Sequence, residues 1–239
     1  MVTCLSLRRG GRYGNGPDDC AEKYPHRMTD PTLLASLMCS RLCHDLLSPV
    51  GGMTNGIELL ADETDPAMRE QCIELLGQGA RRTATKLRFF RLAFGAAGGF
   101  DAQLPATEVR ELVDALAAEG RDITVDWAVQ AEALPKDAVK VLLNFALIAI
   151  EALVRGGKVM LAAEDTGAAH EIAVRAEGQR IAFDDDLGKA FDGGIPMESL
   201  SAHTAPAELV RLVAKGCGGG LQHARSEGTL VLGAILPHG

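Results

Sequence analysis

Cys39-Ser40-Arg41-Leu42-Cys43-His44-Asp45-Leu46-Leu47-Ser48-Pro49-Val50-Gly51-Gly52 is the stretch that decides how this chain is read. A histidine inside a helical pattern is followed by an acid, and a proline comes five residues later. Leu33, Leu34, Leu37, Met38 and Leu42 precede it at helical spacing, and the stripe resumes at Val50, Met53, Ile57 and Leu60. Pro49 removes a backbone donor and crowds the previous turn, so a bend is expected there that tilts the His44 face outward. An imidazole titrates near neutrality, so a neutral nitrogen is available as a nucleophile, and a phosphoryl group on it can be passed on. Asp45 could orient the ring or take its proton. Ser48, one turn on, shares the face. For an arbitrary His-Asp pair the plain alternative is a surface histidine on an amphipathic helix.

Working outward, Thr29-Asp30-Pro31 reads as a helix start and predicts a first helix to about Leu60. Asp65-Pro66 starts a second helix to about Phe94, with Met68, Cys72, Leu75, Leu76, Gly79, Leu87, Phe90 and Phe94 near a heptad stripe, ended by Gly95–Gly99. Residues 31–95 are thus a long antiparallel hairpin. Two helices cannot sequester a continuous apolar stripe, so a dimeric four-helix bundle is expected, the alternative being that the second domain covers the stripe. A turn near Glu63 would bring His44 level with Arg81 and Arg82. Lys86, Arg88 and Arg91 continue the positive charge, which could stabilise a transferring phosphoryl group or merely form a solvated face.

Composition excludes several classes. The 239 residues are 47% hydrophobic and 23% charged, which suits one or two globular domains. A net charge of -8 argues against a phosphate-backbone binder, and 4% aromatics against a base-stacking surface. No apolar run is long enough for a membrane span, and Met1–Arg27 lack the apolar core of a signal peptide. Residues 1–29 are expected to be a disordered arm. Cys4, Cys20, Cys39, Cys43, Cys72 and Cys217 are scattered, as in a reduced cytoplasmic protein. Cys39 and Cys43 lie one turn apart, but a metal site needs more ligands and no second cluster is evident. Besides His44, the histidines (His26, His170, His203, His223 and His238) show no ligand-like pairing with an Asp in sequence, so no metal site is expected.

The second half, residues 100–239, mixes helices and strands. Phe100–Pro105 reads as a linker, and Thr107 as the cap of a helix over Glu108–Glu119. Strands are expected at Asp122–Trp127, Lys158–Ala163, Glu171–Arg175, Arg180–Phe183, Leu221–Arg225 and Leu230–Leu236. A helix from Pro135 to about Arg155 is apolar nearly all round and should be deeply buried. Another covers Ala207–Lys215. The fold class is α+β: a helical hairpin plus an α/β sandwich.

Two resemblances follow from these residues. His44-Asp45-Leu46-Leu47-Ser48-Pro49-Val50 resembles the phosphoacceptor box of sensor histidine kinases, departing at Leu47, where that family carries a basic or polar residue. Leu142–Leu153 and the run Ala207–Lys215 through Gly219-Gly220-Leu221 resemble the Asn-box helix and the last helix and turn of the kinase ATP-binding domain. The nucleotide chemistry is missing. The magnesium-binding Asn would fall at Ile148, with Asn144 matching the other Asn of the box. The adenine-reading Asp-x-Gly would fall at Ala176-Glu177-Gly178, and the last glycine box near Thr204-Ala205-Pro206, without its glycines. Gly218–Gly220 reads as a helix-to-strand turn.

A phosphoacceptor hairpin fused to a kinase-like domain without ATP resembles the ChpT-type histidine phosphotransferases of alphaproteobacterial cell-cycle phosphorelays, over roughly residues 30–237. The resemblance implies a homodimer that accepts a phosphoryl group on His44 from the receiver domain of a hybrid histidine kinase. It then passes the group to receiver domains of response regulators. It implies no cofactor of its own, with Mg²⁺ supplied by the partner receiver. His44, Asp45 and Ser48 would form the site, with Arg41, Pro49, Arg81 and Arg82 as supporting candidates. Competing readings are an active kinase with an atypical nucleotide site and a non-catalytic receiver-docking dimer. An HD-type metal phosphohydrolase fails on ligand count.

Overall fold

A computed structural model describes residues 31–95, 103–119 and 122–238. The expected arm over residues 1–29, the Thr29-Asp30 cap and residues 96–99 of the expected glycine-rich stop lie outside the described residues. Helix α1 (Pro31–Asp62) and helix α2 (Pro66–Ala93) form the hairpin. The turn is closed by side chains. The Glu63 carboxylate accepts from the Thr64 and Asp65 amides at 2.8 Å. Arg69 donates to the Leu60 and Glu63 carbonyls at 3.0 and 2.7 Å, which satisfies backbone oxygens that a helix C-terminus leaves open. Pro49 sits inside α1 without ending it.

A two-layer α/β unit follows. Strand β1 (Gln103–Pro105) pairs with β3 (Ala133–Pro135). Helix α3 (Ala106–Ala117) leads to strand β2 (Ile123–Trp127), and helix α4 (Lys136–Ala152) to strand β4 (Gly157–Asp165). Strand β5 (Ala169–Glu177), helix α5 (Asp185–Asp192), helix α6 (Ala205–Gly216), strand β6 (Gly220–Ser226) and strand β7 (Thr229–Pro237) complete it. The sheet order is β2-β4-β5-β7-β6. Only β2 and β4 are parallel, joined through α4 as a parallel pair requires; the other neighbours are antiparallel. Strand residues alternate: Val159 and Leu161, Ile172 and Val174, Leu230 and Leu232 point into the core, while Met160, Glu171 and Arg175 point away. Helix α4 is the spine, with Val141, Leu142, Leu143, Phe145 and Ala146 fully enclosed. No described helix is long and apolar enough to cross a membrane.

Several expectations need correction. Helix α3 starts at Ala106 after Pro105 instead of being capped by Thr107. The linker over Phe100–Pro105 contains β1. Arg180–Phe183 is not a strand; Ile181 makes one isolated bridge to Leu153. Helix α5 was not anticipated. It has an Asp184 N-cap accepting from the Leu187 amide at 2.8 Å and Gly193 at φ 73° just past its end.

The hairpin is covered at one end only. Phe89, Phe90, Leu92 and Ala93 belong to the same continuous apolar core as α4 and the sheet. Leu34 and Met38 pack with Leu200 and Ala205. Toward the turn Val50, Ile57, Leu59, Met68, Ile73 and Leu75 are exposed. The α/β unit thus covers the stripe at the base, and the tip leaves it exposed.

Gly219 shows why glycines cluster before β6. A Cβ there would overlap the Ile235 carbonyl oxygen, whereas one on Gly220 would meet nothing. The Gly219→Ala variant is expected to lose about 2 kcal/mol or more by overpacking against backbone, and Gly220→Ala less than about 0.5 kcal/mol. Urea denaturation of the two variants checks the contrast; equal losses would refute the close-approach explanation.

Candidate functional site

Helix α1 presents His44 to solvent, its side chain 85% exposed, while Asp45 is 18% exposed. The His44 Nδ1 lies 3.1 Å from Asp45 Oδ1. A carboxylate can only accept, so Nδ1 carries the proton in this contact and Nε2 holds the lone pair. The second Asp45 oxygen accepts from Arg41 Nε at 2.7 Å, an i, i+4 pair on one helix face. Arg41 is itself buried and reaches across to Glu151 on α4 with its terminal nitrogen. Burial works to lower the Arg41 pKa, but Glu151 and Asp45 outweigh it and hold the guanidinium above its ordinary value. A chain of contacts therefore runs His44–Asp45–Arg41–Glu151, from the solvent-facing ring to the spine of the α/β unit. Pro49 has no N–H to offer the Asp45 carbonyl one turn back. Ser48 is exposed one turn from His44.

The basic residues on α2 are arranged differently from expectation. Gly79 faces Met53, and Gly56 faces Leu76. The contacts of Gly79 with Met53 and with the Pro49 carbonyl set His44 level with the stretch from Ala84 to Arg88, and Arg81 and Arg82 lie nearer the turn. The difference arises because α1 continues to Asp62 and the helices are staggered so that Met53 fills the space beside Gly79. Arg81 and Arg82 are exposed, and the Arg81 guanidinium folds back over Gly77, toward the turn. Lys86 pairs with Glu119 at 2.7 Å and Arg88 with Glu108 at 3.6 Å, so they are tied to the turn after α3 and to α3 itself. A small cleft of about 140 Å³ separates hairpin from α/β unit at this level, bordered by Asp45, Lys86, Phe90 and Glu151.

Glu151 was missed by sequence reasoning. A signal existed: it is the one charged residue in the run Val141–Leu153, and it sits in the last turn of α4, where the helix dipole disfavours an anion. An acid in that position calls for a nearby cation, and Arg41 supplies it.

The positions expected to lack nucleotide chemistry are occupied by buried residues, with Ile148 at the wall of a cleft of about 420 Å³. Ile148 and Ala176 are buried apolar residues. Thr204 is buried and bonded to Ser201, and Pro206 lies in the first turn of α6. Asn144 donates its amide to the Ala93 carbonyl and to the Lys140 carbonyl, both at 2.8 Å, tying α4 to the end of α2.

The histidine pairing is also corrected. Every described histidine lies near an aspartate: His44 with Asp45, His170 and His238 with Asp165, His203 with Asp184, His223 with Asp192. Cys39 and Cys43 are exposed thiols. Among the described residues one group has donors close enough together for a metal ion, Asp165 with His170 and His238. It was invisible in sequence because His238 is brought in by strand pairing.

The family model of the histidine phosphotransferase C-terminal domain matches residues 106–229. Protein phosphotransferase ChpT of Brucella abortus (strain 2308) is 31% identical over 186 residues, covering 77% of this chain and 87% of that protein. The solved structure of a bacterial phosphotransferase matches with a TM-score of 0.74 and 28% identity, over 87% of this chain and 98% of that one.

The exposure contrast separates reacting from supporting groups. Arg41→Met removes the buried guanidinium that bridges Asp45 and Glu151 and is expected to cost about 1–3 kcal/mol. His44→Ala removes a solvated ring and should cost less than about 0.5 kcal/mol. Chemical denaturation measures both; a larger loss for His44→Ala would contradict the arrangement.

Proposed function

This chain belongs to the histidine phosphotransferase family, and from that premise we propose that His44 is the residue that carries the phosphoryl group. The protein is a phosphotransferase of the relay type. The observation that carries the assignment is an imidazole exposed for docking yet held through Nδ1 by a carboxylate that is itself fixed from beneath.

The donor is the phosphorylated receiver aspartate of a hybrid histidine kinase. The His44 Nε2 lone pair attacks the phosphorus in line, the P–O bond to the aspartyl carboxylate breaks, and that carboxylate leaves. The ring then bears a positive charge, which Asp45 stabilises through the Nδ1 proton. Transfer onward to the receiver domains of response regulators reverses these steps on a new aspartate. Ser48 and Pro49 border the docking face, and Arg41 acts by positioning Asp45. Mg²⁺ for the reaction belongs to the receiver's acidic pocket, and the phosphotransferase uses neither ATP nor a cofactor of its own in the transfer. Residues 30–99 form the phosphotransfer hairpin and 100–239 the degenerate kinase-like domain. The working partners are cytoplasmic receivers of a two-component relay, with cell-cycle regulators as the expected targets.

The protein works as a homodimer. Leu47, Val50, Ile57, Ile73, Leu75 and Leu87 are exposed along the hairpin. Val50 and Ile57 are seven residues apart, as are Ile73, Ala80 and Leu87, the repeat of a bundle seam. A second copy's hairpin would complete a four-helix bundle.

Mixing with a phosphorylated receiver domain is expected to put acid-labile label on the wild type and none on His44→Ala, while His44→Ala still binds the receiver. Asp45→Asn should slow transfer by about 10²-fold. Label retained by His44→Ala would overturn the assignment. For the dimer, Ile57→Glu should sediment as a monomer where the wild type sediments as a dimer; a monomeric wild type would refute it.

A further inference from the structure

Asp165, His170 and His238 come together from three segments of the sheet. Asp165 closes β4 and faces His170 of β5 across the antiparallel ladder. Strand β5 in turn pairs with β7, with Ala169 opposite Pro237, which delivers His238 to the same corner. The backbone fixes this corner: Gly167 turns the chain at φ 79°, its amide donates to Asp165 Oδ1 at 2.8 Å, and the His238 amide donates to the Ala168 carbonyl at 2.9 Å.

The donor atoms are near one another. His238 Nε2 lies 3.1 Å and His170 Nδ1 lies 3.9 Å from the Asp165 carboxylate. The rings lean together with centroids 4.5 Å apart. One ligand atom from each of the three residues falls within 4.8 Å of the others. Around a tetrahedral Zn²⁺ with bonds of about 2.0–2.1 Å, neighbouring ligand atoms sit about 3.3 Å apart. The three side chains border a cleft of about 580 Å³, giving an ion an approach from solvent.

We propose that Asp165, His170 and His238 form a Zn²⁺ site, with water at the fourth position, that clasps the segment after β7 to the β4–β5 hairpin. Two imidazoles with one carboxylate suit a borderline ion such as Zn²⁺, whereas Mg²⁺ and Ca²⁺ prefer all-oxygen sets. The ion takes no part in phosphotransfer. The cleft also includes Asp137, at the start of α4, while Glu151 stands at its other end. Those fourteen residues of helix span about 21 Å. The inference is independent of the role given to His44.

The test is calorimetric titration of tag-free full-length protein with ZnCl₂ in a non-coordinating buffer. The wild type should bind one Zn²⁺ per chain at that site, and its thermal midpoint should rise with Zn²⁺ and fall back with EDTA. His238→Ala and Asp165→Asn should each weaken this binding by about tenfold or more, with unchanged midpoints in EDTA. His203→Ala, whose ring faces Asp184 outside the cluster, should bind as the wild type does. Millimolar Mg²⁺ should not compete. Absence of saturable binding, or binding retained in both His238→Ala and Asp165→Asn, overturns the proposal and leaves these residues as a polar latch.

Discussion

One guanidinium organises the site. Arg41 lies buried between Asp45 on its own helix and Glu151 on α4. A buried charge is tolerated only when it is paired and hydrogen-bonded, so each carboxylate is needed where it stands. Arginine's planar fork can serve two carboxylates at once, which a lysine's point charge does poorly. With one Asp45 oxygen committed to Arg41, the other is left facing the ring of His44. The orientation of an exposed side chain is thus set from the interior, and by a residue of the other domain.

The α/β unit puts core and hydrogen-bonded groups at the positions where the kinase pattern carries its nucleotide chemistry. Where the kinase pattern would want a magnesium ligand, Ile148 fills core space. Asn144, which the pattern also contains, uses both amide hydrogens on carbonyls, one of them at the end of α2. Gly219, just before β6, makes room for the Ile235 carbonyl. Helices α3, α4 and α6 give the base of the hairpin its apolar cover, so the unit supports the helix that bears His44.

Much of this was legible in the sequence, for physical reasons that differ by element. Helices α1 and α2 were readable because prolines mark their starts and their apolar spacing is sustained over many turns. Helix α4 and the long strands were readable from near-continuous or alternating apolar runs. Helix α5 was missed because eight residues that open with two aspartates, right after Asp184, resemble a loop, although Asp184 and Gly193 are fitting caps. Strands β1 and β3 have three residues each, too few to show a period. At the site, His44, Asp45 and Ser48 announced themselves locally. Glu151 did not, because it meets Arg41 across 110 residues of chain. The level of Arg81 and Arg82 was misjudged because the stagger of two helices depends on which side chain fills which gap, and residue spacing alone does not encode that.

The merged interior at the foot of the hairpin bears on modular engineering. Phe89, Phe90, Leu92 and Ala93 share one apolar cluster with α4 and the sheet. A hairpin grafted alone onto a foreign partner would carry that greasy underside into water, with its arginine deprived of the acid below. A chimera that aims to rewire signalling therefore needs its seam out in the exposed tip, above the level of Asp45, with the lower turns and their companion domain exchanged as a block.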